Sequence, residues 1–336
     1  RLMKAFGNIA KDGQVRAVAS GALTDGKAVI VNANGTVSVV AETGTSFGSA
    51  SVFETGSTNN IGSDYDTTNN KVVIVYNDDG NSSFGTAVVG TINTSDNSIS
   101  FGTPVVFAST SVRDPSLAFS PDNGKFLIAY KDVTAAIGRV IVATVSGTTV
   151  SFGTAAVLDS VDLYNPATVY NEASDGVGFF VIAYKDNTNS GHGKAVVVSI
   201  LANGTPNVYT PVTFAAAETV PYPSSIAYDS TNQKTVIAYK DGGNSSHGTA
   251  IVATRSTGSL TFGSEVVFES SYCQMISTVY DSTNDKFVIA YQDYGDSSKG
   301  TAAVGTVSGT AISFGSPVVF NTGITTKVSA AFDTDA

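Results

Sequence analysis

With 336 residues, the chain is long enough for one large all-β domain or two ordinary domains. Its 33 glycines, 2 methionines and lack of tryptophan, beside short β-branched runs such as KVVIVY and FFVIAY, favour many short strands over helices. A formal net charge of −10 without any Lys/Arg cluster argues against a nucleic-acid partner. No apolar run approaches the ~20 residues that span a bilayer, so membrane insertion is not expected.

From the N-terminus, residues 1–20 lack both repeat character and the apolar stretch of a signal peptide. They read as an arm carrying Lys4, Lys11 and Arg16. The chain starts without Met, which leaves processing or truncation open. Residues 26–54, GKAVIVNANGTVSVVAETGTSFGSASVFE, look like three successive strands, for which VRAVAS (15–20) is a rival first strand.

A repeat then begins. From Tyr65 the chain reads YDTTNNKVVIVYNDDGNSSFGTAVVGT, from Tyr228 YDSTNQKTVIAYKDGGNSSHGTAIVAT, and from Tyr280 YDSTNDKFVIAYQDYGDSSKGTAAVGT. Weaker copies start at Phe119 and Tyr170. Tyr76, Tyr130, Tyr184, Tyr239 and Tyr291 fall in register at spacings of 54, 54, 55 and 52 residues. Each copy divides into four strands. Strand A ends at the YD pair, and a polar turn leads to strand B (KFVIAYQD). A D-x-G-N-S-S-type loop leads to strand C (GTAAVGTV), and a short turn to strand D (ISFGSPVVF). Four strands per ~50 residues is the arithmetic of a propeller blade.

Small residues stand three places before each YD-type aromatic: Gly62, Ser116, Ala167, Ser225, Ser277 and Ser329. They suit first strands crowded around a narrow axis. Complete copies span about 59–110, 111–161, 162–218, 219–270 and 271–322, and KVSAAFD (327–333) resembles strand A alone. The expected fold is therefore an all-β, six-bladed β-propeller over residues 21–336. Residues 327–336 would supply the strand that completes the blade begun by 26–55 and remove both sheet edges. A truncated seven-bladed ring is the alternative.

The consensus YDSTNxKxVIAYxDxGNSSxGTAxVGTVSG resembles a repeat of predicted structural and tail-associated proteins of marine bacteriophages. It covers most of the chain after residue 55, and TDGKAVIVNANGTV is similar to their leader segments. The resemblance implies a virion protein, assembled in the host cytoplasm, with other virion proteins as partners. It transfers no catalytic residue.

Candidate chemistry is sparse. Asp78, Asp132, Asp186, Asp241 and Asp293 open the B-to-C loops. They are expected to cap tight turns, with Gly80, Gly243 and Gly295 easing the backbone. Calcium is considered there but not favoured, because each loop offers only one or two carboxylates. No cofactor is expected. His192 and His247 share a position held by Phe84, Ile137 and Lys299 in other copies, which reads as a variable loop site and not a zinc ligand. The arginines Arg1, Arg16, Arg113, Arg139 and Arg255 fall at unrelated repeat positions, unlike the cluster a propeller sialidase needs. Lone Cys273 can form no intrachain disulfide and has no histidine near it in sequence.

The copies differ most in the D-to-A connections STSVRDP, DSVDLYNP, AAAETVPYP, SSYCQM and TGITTK. These are expected on the face of the B-to-C loops, presenting Arg113, Tyr164, Tyr222, Tyr272 and Lys327 around a channel mouth. Tyrosine offers a rigid apolar face with a polar tip, suited to sugar or protein. The expected function is a non-enzymatic tail-fibre or particle-surface component that binds a host surface glycan, a receptor or an adjoining virion protein. The arm 1–20 would dock it to the particle. A free extracellular lectin and a purely architectural capsid decoration are the rivals, and a homo-oligomer is left open.

Overall fold

A computed structural model of the chain describes residues 48–172, 178–220 and 225–332, and the backbone of three N-terminal strands. The chain divides into two compact units, Arg1–Ser49 and Ala50–Ala336. In the first, Val29–Val31 pairs antiparallel with Thr36–Val39, and Val18–Ala19 pairs parallel with the same strand. The remainder of the proposed arm and of 26–47 lies outside the described residues.

The second unit is all-β, a succession of antiparallel repeats in which A pairs B, B pairs C and C pairs D. In the first repeat these are Thr58–Asp66, Lys71–Asp78 and Phe84–Asn93, with Ser98–Phe101 and the start of Val105–Ser120 forming D. The later B strands are Lys125–Asp132, Phe179–Asp186, Lys234–Asp241 and Lys286–Asp293. Two D-to-A runs are not loops. Val105–Ser120 and Val266–Asp281 are single 16-residue strands, each serving as D of one repeat and A of the next. Residues 325–332, where an A strand was expected, carry no regular strand. Their spacing is nonetheless that of an A strand: the Ala330 N–H donates to Ser277 Oγ at 3.0 Å, just as Thr168 N–H donates to Ser116 Oγ.

The B strands are apolar at nearly every position because both of their faces are buried. In the second repeat, Phe126, Ile128 and Tyr130 pack with Val73, Val75 and Ala87 of the first. The alternate residues Leu127 and Ala129 pack with Phe180, Ile182 and Tyr184 of the third. Period-2 alternation therefore feeds two different cores, one on each side of the sheet.

The motif tyrosine faces the preceding D strand. Tyr76, Tyr130, Tyr239 and Tyr291 meet Phe53, Phe107, Phe214 and Phe268 at centroid separations of 5.2–5.3 Å. The residue after that D-strand position decides the fate of the hydroxyl. Glu54, Asp159 and Glu269 accept from Tyr76, Tyr184 and Tyr291. In the fourth repeat Ala215 stands there, and Tyr239 turns to Glu265 at 2.6 Å.

Two further motif elements have local causes. In YDSTN, Asp229 accepts from the N–H groups of Thr231 and Asn232 and from the Asn232 amide, closing the A-to-B turn; Asp66 and Asp281 repeat this. The glycine of GTA is required by close approach. A Cβ on Gly193, Gly248 or Gly300 would lie 2.5–2.6 Å from ring carbons of Phe214, Phe268 or Phe320. Gly248→Ala is therefore expected to lower stability by about 1–3 kcal/mol through overpacking. Adding Phe268→Leu should recover part of that loss, read as a non-additive double-mutant cycle in urea melts.

Candidate functional site

Four A strands begin in a bulge. The A-strand register slips against B between Asn59 and Gly62, Arg113 and Ser116, Tyr164 and Ala167, and Gln274 and Ser277. At each slip one residue adopts a left-handed backbone: Asn60, Asp114, Asn165 and Met275, with φ of 48–51°. Asn and Asp tolerate that conformation; Met275 does so at a steric cost. These four residues and Lys327 line a cavity of about 480 Å³. A second cavity of about 510 Å³ lies at the other end of the A strands, walled by Asp64, Tyr170, Tyr228, Tyr280 and Phe332. Ser63 and Leu117 belong to both walls, and the second is lined by A-strand segments of all five repeats together with Phe332.

The expected site residues divide into two groups around the first cavity. Arg113 is exposed, its guanidinium carbon 5.8 Å from the Tyr164 ring. Lys131 reaches over the same ring at 3.6 Å while paired with Asp162. Tyr272 forms a separate cluster: Lys240 lies 5.2 Å from its centroid, Tyr294 packs edge-on at 5.2 Å, and the Gln274 amide bonds its hydroxyl. Lys327 is exposed in the cavity wall, 4.0 Å from the Met275 sulfur. Tyr222 lies outside the described residues. Sequence reasoning missed Asn60, Asp114 and Asn165, although Asn or Asp two places before the small A-strand residue was a readable sign of a left-handed bulge. It also missed Lys131 and Lys240, whose contacts cross from one sheet to the next.

The Asp series sits at the mouths of the B-to-C loops. Asp78, Asp186 and Asp241 precede single 3-10 turns and accept from Asn81 N–H, from Thr188 and Asn189 N–H, and from Gly243 N–H. Asp132 and Asp293 accept from Ala135 and Asp296 N–H at 3.1 Å. His192 Nδ1 bonds the Asn189 amide, and His247 pairs across the sheet with Asp241 and Tyr272. Among the described residues, no three His, Cys, Asp or Glu side chains converge as a metal site. Cys273 is buried, and desolvation, with Glu269 and Asp293 nearby, pushes its thiol up to about 12. It is therefore no nucleophile at neutral pH.

The fold and its crossings define a class: an all-β repeat protein of antiparallel sheets packed face to face. No family model and no curated protein matches the sequence. Similar solved structures include a protein from Lactobacillus plantarum, at 16% identity and TM-score 0.48, covering 69% of this chain and 62% of that one. An exo-β-1,3-galactanase from Phanerochaete chrysosporium with galactose shows 10% identity and TM-score 0.44, over 74% and 59%. NanB with Optactamide shows 11% and 0.40, over 54% and 27%. The chain thus spans less than two thirds of the length of each.

Desolvation raises the Asp114 carboxyl above the usual range, opposed by the Asn165 N–H and then by Arg113 and Lys131. An acid whose folded pKa is raised weakens the fold as pH climbs from the unfolded value through the folded one. Asn keeps the left-handed backbone without the charge. Asp114→Asn should therefore melt above the wild type at pH 7, with the difference vanishing below about pH 3.9, where the native acid is protonated in both states.

Proposed function

We propose that the chain is a non-enzymatic binding module of a phage particle, a tail-fibre or particle-surface component whose D-to-A face engages a host surface glycan or an adjoining virion protein. We further propose a six-bladed propeller, with 327–336 completing the blade begun by 26–55. The fold reading is supported by the six A-type segments that share the walls of the two cavities.

One observation carries the binding reading. The side chains common to the repeats are engaged by the fold itself: tyrosines on Phe rings, glycines under those rings, aspartates in turns. What varies is gathered at the crossings, where Tyr164 and Tyr272 present half-exposed rings to Arg113 and to the B-strand Lys240, with Asn165 next to Tyr164 in the chain. Aromatic faces flanked by amide and guanidinium donors suit a hydroxyl-rich ligand. The phage role is supported by the repeat resemblance alone.

The test is binding of the labelled chain to a glycan array and to intact marine bacteria, beside a Tyr164→Ala/Tyr222→Ala/Tyr272→Ala variant. Saturable binding weakened at least about tenfold in the folded variant, roughly 1.4 kcal/mol, is the expected result. A folded wild type that binds neither glycan nor cell would sink the adhesin reading and favour the architectural one. Binding to sugars with no incorporation into particles would favour a free lectin.

A further inference from the structure

The repeats supply their own comparison at one buried position. In the third repeat, Lys194 projects from strand C beside the motif tyrosine, and its ammonium meets Asp186 Oδ2 at 2.8 Å and Asp159 Oδ2 at 3.2 Å. Tyr184 donates to the same Asp159 oxygen at 2.6 Å. In the second repeat Arg139 takes this place and bonds Asp132 at 2.8 Å, with Ala108 where the second acid would stand. In both cases a side-chain cation sits against the carboxylate of the B-to-C loop.

The fifth repeat keeps both acids and loses the cation. Asp293 and Glu269 occupy the places of Asp186 and Asp159, and Tyr291 donates to Glu269 Oε2 at 2.9 Å. Thr301 replaces Lys194. It pairs directly with Tyr291, as Lys194 pairs with Tyr184, so its side chain lies on the same face. Thr301 is 2% exposed, and its hydroxyl has no hydrogen-bond partner. Ser271 Oγ lies 2.6 Å from Glu269 and 3.2 Å from Asp293, so one hydroxyl proton stands between two carboxylates. Among the described residues no lysine or arginine reaches either acid: Lys299 pairs with Asp296, and Lys240 lies over the Tyr272 ring.

We propose that Glu269, Asp293, Ser271 and Thr301 form a binding site for a hard divalent cation, which does in the fifth repeat what the Lys194 ammonium does in the third. Two carboxylates and two hydroxyls form an all-oxygen donor set, which selects calcium over zinc or copper. Two acids balance a double charge. The first repeat has a related pair in Glu54 and Asp78, but Gly56 replaces the serine and Thr86 already contacts the Phe84 carbonyl at 3.4 Å, so the proposal is confined to the fifth.

The test uses the full chain, melted in EDTA and in calcium chloride up to about 10 mM, with terbium emission as a direct readout. With no tryptophan present, sensitisation must come from tyrosine, and Tyr291 adjoins the site. Calcium should raise the wild-type melting temperature by roughly 2 °C or more, and terbium should luminesce. Thr301→Lys, which rebuilds the arrangement of the third repeat, should abolish both effects while the protein stays folded. Glu269→Gln should do likewise and serves if the lysine variant does not fold. A wild type indifferent to calcium and dark with terbium overturns the site. So does a calcium shift that persists in both folded variants, since the ion would then bind elsewhere.

Discussion

Burial of the B strand on both faces is the constraint from which the rest of the second unit follows. A strand such as Phe126–Tyr130 delivers alternate side chains to two cores, so a polar residue there needs a buried partner, as Thr235 has in Asn171. Each sheet must then be thin enough to stack, so a ring on strand D lies over the glycine of its own paired strand C while the tyrosine of the next sheet packs against it. The glycine beneath Phe268 and the tyrosine against it are two consequences of the same spacing. Because these packed faces lie between successive repeats, stability accrues interface by interface. The last described sheet shows what such an interface covers: Val304, Val318, Phe320 and Ile324 are all exposed there.

The polar chemistry is confined to what stacking leaves over. The turns satisfy their own N–H groups through Asp and Asn side chains and stay local. At the crossings the chain passes from one sheet to the next. A left-handed residue and a slip in register achieve this, and they bring Asn60, Asp114 and Asn165 to one cavity. The B-strand cations Lys131 and Lys240 lie over aromatic rings of the following repeat's crossing. Variation in one crossing therefore leaves the neighbouring cores untouched.

Much of this was legible in the sequence. The spacing of Tyr76 to Tyr291 located every B strand, and YDSTN announced a self-capped turn, because both depend on residues close in sequence or repeated in register. The crossings were harder to read. STSVRDP and SSYCQM share nothing with each other and read as loops, yet both lie within continuous strands, since main-chain pairing places few demands on side-chain identity. Met275 broke the Asn/Asp pattern that would have marked the bulges. The contact between Lys131 and Tyr164 depends on the placement of one sheet against another, which no local pattern encodes. The carboxylates of the fifth repeat were visible individually, but their shared surroundings emerged only when Thr301 was set against Lys194.

The two 16-residue strands also bear on how the molecule would carry tension. Where Val105–Ser120 and Val266–Asp281 run unbroken between sheets, a pull along the chain loads rows of hydrogen bonds in both sheets together. Between the second and third repeats the strand stops at Asp159 and resumes at Leu163, which leaves a short stretch without ladder bonds. The first and second repeats, and the fourth and fifth, are thus stiffly coupled, whereas the link from the second to the third is compliant.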